Sequence, residues 1–214
     1  MNNQINQDSL SKEQIDSVMS LYNAGKIEKA ILEIKSLNEQ FPNVPLLFNI
    51  LGACYKSIGE TEGALKMFET ATKIKVDYSE AHFNAGVVRQ ELGRFDAAIE
   101  SYKNVVAIKP DYFDAHNNLG IVYLEAKEFD NAINHFNLAI NYKKDFAEAY
   151  NNLGNLYSMM GSFKEATECY QKAINLDPSF ASGYYNLSKV KKYKKNEPIF
   201  EKMLTIIVHM YNVL

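Results

Sequence analysis

The sequence predicts an all-α fold, a right-handed superhelical solenoid of antiparallel helix pairs, and three observations predict it. Four asparagines, Asn84, Asn118, Asn152 and Asn186, recur every 34 residues, each two positions before Gly86, Gly120, Gly154 and Ser188. The twentieth position of five successive units holds Ala30, Ala64, Ala98, Ala132 and Ala166 without exception. Within a unit the apolar residues follow at intervals of three and four, as in Ala98, Tyr102 and Val105, which places them on one helical face. A period of this length marks an array whose units cannot bury their apolar faces alone and must stack.

Taken in order, residues 1–10 (MNNQINQDSL) are polar and predict a frayed or disordered start. Units follow at 11–44, 45–78, 79–112, 113–146 and 147–180, with a partial unit at 181–195 and an apolar helix at 196–214. Each full unit reads as two helices, joined at Gly25, Gly59, Gly93 and Gly161 and closed by Pro42, Pro110 and Pro178. The first helix carries Leu51-Gly52, Ala85-Gly86, Leu119-Gly120 and Leu153-Gly154, followed by Tyr55, Arg89, Tyr123 and Tyr157. The second carries the alanine and then Ile34, Phe68, Tyr102, Phe136 and Tyr170. Small residues let two backbones approach while large rings fill the space beside them. The first unit has Ser17-Val18 in place of Leu-Gly, which suits an end unit, and Ser188 and Phe200 break the pattern after Ala181. The last helix is therefore expected to pack differently, as a cap.

The pattern aromatic-x-x-Leu-Gly-x-x-Tyr, then Ala, an aromatic, Ala and Pro, resembles the tetratricopeptide repeat (TPR) family from Ser11 to about Lys195, most densely from Pro45 to Phe180. The resemblance implies a groove built mainly from the first helix of each pair. LFNILGACYKSIGETEGALKMFETA and YNLSKVKKYKKNEP are similar to the repeat arms that precede a sulfotransferase domain in some bacterial proteins. The asparagine-bearing units are similar to the arm of O-linked N-acetylglucosamine transferases. Both likenesses imply a substrate-recognition arm, with the chain ending where a catalytic domain would begin.

Composition narrows the function class. With 47% apolar and 23% charged residues the 214-residue chain is ordinary for a folded protein. Its net charge of −3 is unevenly spread: residues 181–214 hold six lysines against two glutamates, +4, which leaves −7 on the remainder. An acidic body argues against nucleic-acid binding. No signal segment or apolar run of membrane-spanning length is evident, so a cytoplasmic chain is expected. Cys54 and Cys169 lie more than three units apart and are read as free, buried thiols. No glycine-rich phosphate loop or metal-ligand spacing is present, so the expectation is a non-enzymatic chain without cofactor or metal. His82 and His116, at the fourth position of consecutive units, and His135 and Cys169, at the twenty-third, are read as packing residues.

The asparagines remain as the candidate site. In the resembled family the sixth position of the first helix faces the groove, and here it holds Asn84, Asn118, Asn152 and Asn186. An amide offers two donors and an acceptor, so it can hold a peptide group without reading the side chain. Asn49, Asn117 and Asn151 precede this position, which suggests the alternative that the amides bond between adjacent helices. Ile50 breaks the ladder in the second unit, so binding is expected to start near Asn84. Glu80, Asp114 and Glu148, at the second position, would favour a basic or neutral segment. Position five lacks the lysine with which chaperone-tail receptors of the family clamp a terminal carboxylate. The expected partner is a protein or peptide, bound weakly, at about micromolar or weaker affinity. The apolar circumference of residues 198–214 adds a possible homo-oligomer or transferase-domain contact.

Overall fold

A computed structural model describes residues 10–191 together with Glu201, Thr205 and Val208. Among the described residues there are eleven helices and no strand, arranged in two compact units, 1–108 and 109–214. The expected helix from Pro198 onward, with Ile199, Phe200, Met203, Leu204 and the apolar residues up to Leu214, lies outside the described residues except at those three positions. The expected frayed start also lies outside them, save Leu10.

Unit 1 contains three helix pairs: α1 (Lys12–Asn23) with α2 (Ile27–Gln40), α3 (Pro45–Ser57) with α4 (Thr61–Ile74), and α5 (Ser79–Glu91) with α6 (Phe95–Ile108). The first helix starts at a capping box, in which Gln14 N donates to Ser11 Oγ at 3.2 Å and Ser11 N to Gln14 Oε1 at 2.9 Å. Pro45 opens α3 at its first turn, where a missing N–H costs nothing. Unit 2 contains α7 (Phe113–Glu125) with α8 (Phe129–Tyr142), α9 (Ala147–Met159) with α10 (Phe163–Leu176), and α11 (Ala181–Val190).

Four of the five pairs close by the same contact. All five alanines of the twentieth position are fully buried, as are Tyr102 and Phe136. A Cβ added at Gly52, Gly86, Gly120 or Gly154 would stand 2.5–2.7 Å from the ring of Phe68, Tyr102, Phe136 or Tyr170, so these helices meet where only a hydrogen fits. The first pair solves the same problem the other way round. Val18 replaces the glycine and Ile34 replaces the ring, and both are fully buried. The departure of Val18 thus reflects a compensated size exchange and not exposure at an end.

The turn inside each pair needs one left-handed residue. Gly25, Gly59, Gly93 and Gly161 supply φ of +69° to +81°. In the fourth pair Lys127 takes the same place at φ +61°, its N–H bonded to the Leu124 carbonyl at 3.0 Å. A side chain in this region costs about 1–2 kcal/mol, partly offset because lysine restricts the unfolded chain more than glycine does. Lys127→Gly is expected to stabilise the protein by about 0.5–1 kcal/mol, read as a higher urea midpoint at unchanged slope.

Cys54 is buried and Cys169 half-buried, both free. Burial raises both thiols, Cys169 to about 11 with help from Glu168 and Glu165. Neither is a reactive thiolate near neutral pH.

Candidate functional site

The asparagines sit on the first helices of the pairs, and the structure joins them in steps. In unit 1, Asn84 Nδ2 on α5 donates to Asn49 Oδ1 on α3 at 3.0 Å. In unit 2, Asn152 Nδ2 on α9 donates to Asn117 Oδ1 on α7 at 3.1 Å, and Asn186 Nδ2 on α11 donates to Asn151 Oδ1 on α9 at 3.0 Å. Each step links the sixth position of one repeat to the fifth position of the repeat before it. The inter-helix alternative is therefore realised at these three steps, each contributing about 0.5–1.5 kcal/mol net.

The two positions differ in exposure. Asn117 and Asn151 are 2% and 5% exposed, beneath the surface, and act as acceptors for their neighbours. Asn84, Asn118, Asn152 and Asn186 are half-buried, as is Asn49. An amide that has given one N–H to its neighbour keeps a second N–H and its oxygen. Asn84, Asn152 and Asn186 therefore hold an oriented amide at the surface, fixed by the neighbouring repeat. Ile50, the residue that breaks the ladder position, is buried at 7%, and Asn49 beside it begins the series in unit 1.

Glu80, Asp114 and Glu148 occupy the first turns of α5, α7 and α9, where a helix N-terminus favours negative charge. Glu80 Oε2 accepts from the buried Ser79 hydroxyl at 2.9 Å. Burial pushes the Asp114 carboxyl up, and Lys143 pulls it part of the way back. Lys143 Nζ itself lies 4.6 Å from the Phe113 ring centre and 5.1 Å from that of Phe146. Glu91, in the last turn of α5, is paired with Lys56 at 2.8 Å. On α11, Lys189 Nζ lies 4.1 Å over the exposed Tyr185 ring.

One association was not visible from the repeat pattern. His116 of α7 and His135 of α8 face each other with Nδ1 atoms 3.1 Å apart, and Tyr142 and Tyr123 stack on their outer faces. The two histidines occupy different positions of a single repeat, so comparison of equal positions between repeats passes over them. His82 is separate: its Nε2 lies 2.8 Å from the Val76 carbonyl, beside a cavity of about 330 Å³ lined by Val76, Asp77, Asn104, Ala107 and Ile108. Among the described residues no group of three or more potential ligands could hold a metal ion, and no helix is long and apolar enough to cross a membrane.

Comparison with known proteins agrees with this geometry. The tetratricopeptide repeat family model matches residues 147–180, and a model described as a TPR repeat matches 90–127 and 122–161. No curated protein sequence matches. A crystal structure of MamA is 26% identical, covers 77% of this chain and 96% of its own, and superposes with a TM-score of 0.71. PilF of Pseudomonas aeruginosa, at 15% identity, covers 94% of this chain and 90% of its own at a TM-score of 0.78. YrrB, described as a TPR protein with an unusual peptide-binding site, is 19% identical, covering 84% and 92% at a TM-score of 0.63. The last two show a shared fold alone. Residues 90–180 therefore consist of tetratricopeptide repeats, and helix pairs of the same design occur in both units.

Proposed function

We propose that the chain is a non-enzymatic interaction scaffold that holds extended peptide segments through the surface amides of Asn84 in unit 1 and of Asn118, Asn152 and Asn186 in unit 2. The observation that carries this reading is the preset orientation of three of these amides, each tied to the repeat before it at 3.0–3.1 Å. An amide already fixed by its neighbour loses little rotamer freedom when it binds, so more of each hydrogen bond appears as affinity. Such a surface recognises peptide groups, and Glu80, Asp114 and Glu148 bias it toward basic or neutral segments. Asn117 and Asn151 act as the buried supports, and Asn49 serves both roles in unit 1.

A peptide selected on the intact chain from a random library provides the test. Asn152→Ala is expected to weaken its binding about three- to tenfold, the equivalent of one hydrogen bond. N-methylation of the bound peptide's backbone is expected to weaken binding to a similar degree at one or two positions. Unchanged affinity in a folded Asn152→Ala, Asn186→Ala double variant would sink this mechanism.

A further inference from the structure

The paired imidazoles in unit 2 have only one hydrogen to share. His116 Nε2 lies 2.9 Å from the Pro110 carbonyl, and a carbonyl only accepts, so that nitrogen carries a hydrogen. In the neutral ring Nδ1 of His116 is then bare, and the hydrogen between the two Nδ1 atoms, 3.1 Å apart, belongs to His135. Tyr142, His116, His135 and Tyr123 follow one another with ring centres 5.5, 5.3 and 5.5 Å apart and planes within 17–25° of one another, and the two imidazoles meet edge to edge through Nδ1. His116 is 5% exposed and His135 half-buried, so the His116 side of the pair is closed to water.

We propose that His116 and His135 form a proton-operated latch that holds α7 against α8 while at least one imidazole is neutral and releases it when both are charged. One added proton leaves the shared hydrogen in place, whichever ring holds the charge. A second sets two N–H groups head to head between the two rings, replacing a hydrogen bond with the repulsion of two cations at about hydrogen-bond distance. No proton can be moved to relieve this, because the Pro110 carbonyl requires its own.

Tyr123 of α7 and Tyr142 of α8 flank the pair. The charged groups of these helices and their ends include Asp114, Glu125, Asp130 and Lys143, and Lys143 acts on Asp114. From α9, which packs on α8, the titratable groups are Glu148, Tyr150 and Tyr157. The groups acting on His116 are its burial, which lowers its proton affinity, and the Pro110 carbonyl, which partly restores it. A histidine held below its unfolded value binds fewer protons in the fold than in the unfolded chain. Its contribution is complete above the unfolded value of about 6.5 and declines as pH falls below it.

Urea unfolding of the full chain at pH 7.5 and at pH 5, beside His116→Phe, tests the latch. Phe48 and Tyr150 occupy the equivalent place in other repeats, so an aromatic ring fits there. The wild-type unfolding equilibrium constant is expected to rise on acidification by about tenfold more than that of His116→Phe. Nitrogen NMR of the wild-type imidazoles supplies a reading independent of the variant: His116 with hydrogen on Nε2 and His135 with hydrogen on Nδ1 at pH 7.5. Equal acid sensitivity of the two proteins, or two imidazoles that titrate independently near 6.5, overturns the proposal.

Discussion

Gly120→Val is expected to lower the unfolding free energy by about 3 kcal/mol, the upper part of the range for overpacked cores. Even the first carbon of the new side chain would stand 2.5 Å from both Cδ1 and Cε1 of Phe136. That ring is fully buried on α8 and cannot move aside into solvent. Either α7 and α8 separate or the ring leaves its preferred rotamer, and both loosen the closest contact of the pair. Gly120→Ala is expected to cost less, because the better helix propensity of alanine returns about 1 kcal/mol. Gly63 provides the control. It too lies inside a helix, but the nearest atom to an added Cβ is 3.5 Å away on Tyr55, an ordinary contact. Gly63→Ala is expected to stabilise by about 0.5–1 kcal/mol. Denaturant midpoints that move in opposite directions at Gly120 and Gly63 establish close packing as the cause.

Arg89→Ala should destabilise by about 2–3 kcal/mol, since it breaks a charge-assisted network and leaves polar groups without their partner. Arg89 stands where the other central repeats have tyrosine, and it reaches in two directions. Its Nη2 donates to Glu69 Oε1 on α4 at 2.8 Å, and its Nη1 to the fully buried Ser101 Oγ on α6 at 2.5 Å. The guanidinium thus ties three helices of unit 1 together while its side chain is only 24% exposed. Arg89→Lys is expected to recover less than half of the loss, because a single ammonium cannot reproduce the planar fork. A lysine variant as stable as the wild type would show that charge alone is what α5 requires.

Much of this fold was legible in the sequence because its cause is steric and recurs. Gly52, Gly86, Gly120 and Gly154 and the alanines of the twentieth position mark helix contacts that admit no larger residue. Lys127 was not legible as a turn residue, since lysine tolerates the left-handed region only when flanking helices impose it. The candidate site was legible as a set of positions but not as a set of bonds. An amide is equally suited to a ligand and to a neighbour, so Asn117 and Asn118 read alike until burial separates them. The histidine pair required knowledge of which positions of α7 and α8 face each other, and no periodicity contains that.

The exchange of Val18 and Ile34 for the glycine and ring of the other pairs also bears on how such arrays change over time. Size complementarity is settled inside the hairpin, between one helix and its immediate successor. Whole hairpins can therefore be duplicated, deleted or recombined with that contact intact, whereas a crossover between the two helices would bring Val18 against a ring or leave Ile34 facing an empty notch. The unit of inheritance in this chain is the 34-residue pair, and its safe joints lie at the turns between pairs.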